Sequence, residues 1–187
     1  MTDSYPTPFQ QGRLDSLCGI YSIVNTIHAL YGPLTRPGAT DLLIDILEHL
    51  EEQSITTLER LAEGTNMADL SKSLQLASIT YPIRWARPFH QKKGVTLDDY
   101  WLYLHSFFAD KRGIVIINVA KSGIYDHWTT AYRVSPKSLS LLDSSGMQRI
   151  SKRHCTIHEQ DSNPRIWLNP RASYFIWKDL TQKGNKR

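Results

Sequence analysis

A glutamine at position 11 stands seven residues ahead of Cys18, which opens the apolar run Cys18-Gly-Ile-Tyr-Ser-Ile-Val-Asn25. The pattern places this cysteine in the first turn of a helix. Thiolate is the reactive form of cysteine, and the unpaired amides and dipole of a helix N-terminus favour that anion. A base is available in His127, on the strand-like run 126–134, and a carboxylate in Asp143, at the end of the next such run. Nucleophile, base and orienting acid in the order Cys, His, Asp are the parts of a thiol acyl-transfer site.

The elements required to position these residues follow from the turn between the two runs. Ser135-Pro136-Lys137 predicts a hairpin, so the start of the first strand and the end of its neighbour share one edge of a sheet. Asp143 there accepts a hydrogen bond from one imidazole nitrogen and leaves the other to face the thiol. Each residue alone would be ordinary: a small buried cysteine, a surface histidine, a turn aspartate. Gln11 is a candidate to donate its side-chain amide, with the Cys18 backbone N–H, to an oxyanion formed when a carbonyl is attacked; Gln10 is the alternative.

Apolar spacing predicts the first helix from Cys18 to a stop at Gly32-Pro33. A second, capped by Thr40 or Asp41, carries Leu42, Leu43, Ile46, Leu47 and Leu50 on one face. Further helical stretches fall at 55–62 and 67–77, and another begins after Thr96 and runs to Phe108. Pro82 and Pro88 mark 79–89 as an edge or irregular strand. Strands are predicted at 114–120, 127–134, 139–143, 147–157 and 172–178, with a loop over 160–171. Helices followed by antiparallel strands indicate an α+β fold in two layers, the helix of Cys18 packed on the sheet. The expected organisation is a single domain over 1–181 and a disordered basic tail at 182–187.

Leu17-Cys18-Gly19 opening an apolar helix behind an upstream glutamine, His127-Trp128 opening a strand and Leu142-Asp143 closing the next one resemble papain-like cysteine peptidases. The resemblance is to the small bacterial branch of bacteriocin-leader peptidases and, more distantly, to Josephin-type deubiquitinases. It implies a papain-like fold in which Cys18 is the nucleophile, His127 the general base and acid, Asp143 the orienter and Gln11 the oxyanion donor. This chain has Leu17 where that branch commonly has Asp, and its Gln-to-Cys spacing is slightly longer.

Length and composition suit one globular domain of 187 residues. Neither an export signal nor a membrane span is legible, and two cysteines without such a signal fit a reducing, cytoplasmic setting. The charge of +4, from 22 basic and 18 acidic side chains, reads as a solvated surface rather than a nucleic-acid footprint. His154, Cys155 and His158 have a zinc-like composition, but on a strand neighbouring side chains point to opposite faces, so no metal and no cofactor is expected.

The expected function is therefore cleavage of a peptide or isopeptide bond through an acyl-enzyme. The rivals are an acyltransferase or transglutaminase-like enzyme with the same three residues, and a catalytically silent module that binds a peptide or a ubiquitin-like tail. Gly19 beside the nucleophile and Trp128 beside the base predict a narrow slot that admits small residues, as in a glycine-rich tail.

Overall fold

The computed structural model describes residues 5–12, 16–52, 61, 63–121, 125–158 and 166–181. Four described helices surround one mostly antiparallel sheet: α1 (Cys18–Tyr31), α2 (Arg36–Glu51), α3 (Met67–Thr80) and α4 (Leu97–Lys111). The strands are β1 (Ile83–Ala86), β2 (Ile114–Lys121), β3 (Tyr125–Ser135), β4 (Ser138–Leu142), β5 (Arg149–Ser151), β6 (Cys155–Thr156) and β7 (Ile166–Lys178). Their order is β1-β7-β2-β3-β4-β5, and only the two-residue β6 pairs in parallel, with β7. The fold is α+β, and β1 lies at the sheet edge as its flanking prolines predict.

Caps explain the helix starts. Asn66 and Thr96 each accept hydrogen bonds from the first turn of α3 and α4, and their own backbone N–H groups donate back to the carboxylates of Asp69 and Asp99. The cap of α2 is Thr35, not Thr40 or Asp41. Its hydroxyl accepts from the Gly38 amide, and Pro37 fits the first turn, where a missing N–H costs nothing. The predicted helix over 55–62 falls largely outside the described residues, as does the 182–187 tail.

The sheet is covered on both faces, which corrects the two-layer expectation. Ile114 and Ile116 of β2, with Trp128, Tyr174 and Ile176, pack against α1, α2 and α3. The alternate residues Val115, Ile117 and Val119, with Ala131, Leu139 and Phe175, pack against Tyr100, Trp101, Leu104 and Phe107 of α4. A strand buried on both faces is apolar almost throughout, as Ile114-Val-Ile-Ile117 is.

Three strand predictions also change. The 147–157 run is broken into β5, a single 3-10 turn and β6. β7 begins at Ile166, earlier than predicted, and passes through Pro170 because residues 170–173 bulge out opposite Ile117 alone. β4 stops at Leu142, leaving Asp143 in the turn that follows. Among the described residues no helix is long and apolar enough to cross a membrane.

Candidate active site

Cys18 is the first residue of α1. Leu17 supplies no capping side chain, and the helical ladder begins with the Tyr21 N–H donating to the Leu17 carbonyl (3.0 Å), so the Cys18 amide has no acceptor within the helix. The Trp128 backbone N–H donates to Cys18 Sγ across 3.4 Å, which ties the start of the helix to β3. Cys18 is 9% exposed and His127 7%.

His127 Nε2 meets Asp143 Oδ2 at 2.6 Å. A one-residue bulge in β3 makes this pairing possible. From Ser135↔Ser138 the hairpin register runs back to Arg133↔Ser140, then skips Tyr132 to Ala131↔Leu141 and Thr130↔Leu142. Continuing the ladder by one sets Thr129 opposite Asp143, on the same face as His127 two residues away. Without the bulge Asp143 would stand opposite Thr130, whose hydroxyl points the other way and donates to the Ser22 carbonyl of α1 (3.1 Å). A slip of one residue exchanges the faces of a strand, so the Tyr132 bulge decides whether His127 has a partner.

The second carboxylate oxygen is held as firmly. Asp143 Oδ1 accepts from the Ser145 and Met147 amides, both at 2.9 Å. The buried Thr129 hydroxyl lies beside the carboxylate, outside hydrogen-bonding geometry, yet adds to the preference for its anion. Burial alone would raise the Asp143 pKa; the bond to His127 and these neighbours outweigh it and hold the carboxyl below its ordinary range. Burial would likewise lower the His127 pKa, but hydrogen bonding and charge from Asp143 and Cys18 push it up to about 9.

With Nε2 on Asp143, Nδ1 is the ring nitrogen left for a second partner. The pair is linked to stability with opposite signs. His127 contributes below its unfolded value near 6.5 and loses that contribution as pH rises through about 9. Asp143 contributes above its unfolded value near 3.8 and loses that as pH falls through its lowered folded value.

Gln11 reaches the same corner. Its backbone N–H donates to the Ser144 carbonyl (3.1 Å), and the Ser144 hydroxyl donates to Gln11 Oε1 (3.2 Å), leaving the side-chain NH2 as a donor. Gln10 lines a different cavity of about 620 Å³, between residues 7–10 and the α1 and α2 helices. Cys18, His127, Asp143 and Gln11 are thus assembled around one end of β3 and β4. His154 accepts from Arg153 Nε (2.8 Å), and the buried Cys155 thiol donates to the Ser151 carbonyl (3.2 Å). Both cysteines are free thiols.

The narrow slot loses its two supports. Gly19 is buried beneath Thr65, and Trp128 is a core residue whose indole N–H donates to the Thr65 carbonyl (2.7 Å). The absence of a side chain at 19 serves the packing of Thr65, not an incoming backbone. An alanine there would bring Cβ within 2.7 Å of Thr65 Cβ and 2.8 Å of its Cγ2. Gly19→Ala is expected to lower stability by about 1–3 kcal/mol despite alanine's better helix propensity. The added variant Thr65→Gly should restore part of it. Thermal unfolding of the single and double variants checks this; an unchanged or raised midpoint for Gly19→Ala would refute the packing argument.

Thr65, Ser144 and the bulge at Tyr132 carry weight that the sequence did not announce. Only Asp143-Ser-Ser-Gly146 gave a signal, since an aspartate leading a turn commonly bonds the amides that follow it. The chain matches no protein-family model and no curated protein.

Proposed function

We propose that this chain is a thiol hydrolase of papain-like fold that cleaves a peptide or isopeptide bond through Cys18, His127 and Asp143. The observation that carries the reading is the pairing of His127 with Asp143 at 2.6 Å, one residue along β3 from the Trp128 amide that holds Cys18 Sγ at 3.4 Å. In this reading His127 Nδ1 takes the thiol proton and Sγ attacks the substrate carbonyl. The Cys18 amide and the Gln11 side-chain amide receive the oxyanion. His127 then returns the proton to the leaving amine, and water hydrolyses the thioester with the same imidazole as base. Asp143 holds the ring and stabilises the imidazolium.

Covalent labelling with an electrophilic probe tests this. Cys18 is expected to react much faster than Cys155 near neutral pH, with the modified residue located by mass spectrometry. Cys155 is 2% exposed, and burial pushes its thiol up to about 12. Equal, slow labelling of both would overturn the reading in favour of a binding module. Release of acid from an amide substrate, against formation of a new amide when a primary amine is added, separates hydrolysis from acyl transfer.

A further inference from the structure

The segment that carries Gln11 is fastened to the helix that carries Cys18. Asn25, fully buried and two turns along α1 from Cys18, brackets Phe9. Its Oδ1 accepts from the Phe9 N–H at 2.7 Å and its Nδ2 donates to the Phe9 carbonyl at 3.0 Å, so both backbone groups of one residue are held by one side chain. A second anchor follows on the same helix. His28 Nε2 bonds the Thr7 carbonyl (3.1 Å), its Nδ1 accepts from the Leu34 amide (2.8 Å), and its ring packs on Phe9 with centroids 4.7 Å apart. Two residues beyond Phe9, Gln11 docks on Ser144, next to Asp143. One continuous set of contacts therefore runs from α1 through Phe9 and Gln11 to the turn that holds His127.

We infer that Asn25 is a positioning residue that acts through Gln11: by fixing Phe9 it sets the distance between the Gln11 amide and the carbonyl attacked by Cys18. This rests on the thiol-hydrolase reading and adds to it the device that aligns the oxyanion donor with the nucleophile. A planar amide is suited to the task because it offers one acceptor and one donor side by side, matching the N–H and C=O of an extended residue. The bracket fixes the segment without adding any charge near the site.

Two reactions of Cys18 separate this role from a general structural one. Alkylation by iodoacetamide displaces iodide from carbon and develops no oxyanion. Acetylation by p-nitrophenyl acetate forms the Sγ–C bond through a tetrahedral oxyanion, breaks the ester C–O bond and releases p-nitrophenolate, after which water cleaves the thioester. In the 187-residue chain Gln11→Ala is expected to slow acetylation by about 100-fold, the usual range for loss of one oxyanion donor. Asn25→Ala should slow it by about tenfold or more, and both variants should leave alkylation within about twofold of wild type. The double variant should be no slower than Gln11→Ala alone, because the two residues act in series.

Asn25→Asp retains the size and the acceptor to the Phe9 amide, and as the neutral acid, which full burial favours, it keeps a donor for the Phe9 carbonyl, so it supplies a folded intermediate case if Asn25→Ala does not fold. It should fall between wild type and Gln11→Ala in acetylation with alkylation preserved. Parallel loss of both reactions in the Asn25 variants, additive losses in the double variant, or unchanged acetylation would overturn the proposal. A wild-type chain whose Cys18 is neither acetylated nor alkylated faster than Cys155 would instead remove the thiol-hydrolase reading beneath it.

Discussion

Cys18→Ala is expected to abolish turnover, by about four orders of magnitude or more, because in the thiol-hydrolase reading Cys18 is the group that forms the acyl-enzyme. Cys18→Ser should be nearly as inactive, since His127 strips a thiol proton far more readily than that of a hydroxyl. Neither change should unfold the chain. Cys18 packs at the edge of the core as the first residue of a helix, and its loss removes one sulfur and the 3.4 Å contact to the Trp128 amide, a cost of about 1 kcal/mol. A second readout needs no substrate. Hydrogen bonding and charge from Cys18 are among the influences that raise the His127 pKa to about 9, so in Cys18→Ala the imidazole should titrate lower, followed by NMR of its ring protons. Residual activity within tenfold of wild type would refute the nucleophile assignment, and an unmoved His127 midpoint would show that the two side chains do not interact.

Periodicity was enough to read α1, α3, α4 and the β3–β4 hairpin, because each is an amphipathic or alternating run bounded by a cap, Gly or Pro. It failed where the deciding fact lay between elements. The apolar stripe of α4 says that Tyr100, Leu104 and Phe107 are buried, but not on which face of the sheet; the double-sided character of Ile114 to Val119 held that information and required α4 opposite α1. The start of α2 was hidden because Pro37 and Gly38 look like loop residues, although both suit a first helical turn behind Thr35. β7 was read only from Ala172, because Asn169-Pro170 looks like loop and a strand accepts such a proline only at a bulge.

The identity and chain order of the candidate site residues were legible as chemistry. Their mutual geometry was only half so: the hairpin places His127 and Asp143 at one edge, but an unmarked bulge at Tyr132 sets them on one face. Gly19 was the misleading residue. A glycine beside a candidate nucleophile reads as room for substrate, whereas Thr65, distant in sequence, fills that room.

Asp143→Asn should narrow the pH range of activity from the alkaline side. In the thiol-hydrolase reading the imidazolium returns a proton to the leaving group, and in wild type it persists to about pH 9, since Asp143 and Cys18 together outweigh the effect of burial. Asparagine keeps a carbonyl oxygen able to accept from the Ser145 and Met147 amides, so the turn survives, but it brings no negative charge to Nε2. The His127 midpoint then falls toward its ordinary value near 6.5. At pH 8 a full return to that value would cut the protonated fraction, and with it the rate, by up to about 30-fold, while the loss at pH 6 would be small. Asp143→Ala goes further, because the Ser145 and Met147 amides lose their acceptor as the imidazole loses its partner, so stability should fall by about 1–3 kcal/mol along with activity. Measuring kcat/KM from pH 5 to 10 for wild type and both variants decides the matter. An alkaline limb that stays near pH 9 in Asp143→Asn would mean that the carboxylate does not govern His127, and that the 2.6 Å contact serves the turn rather than the proton transfer.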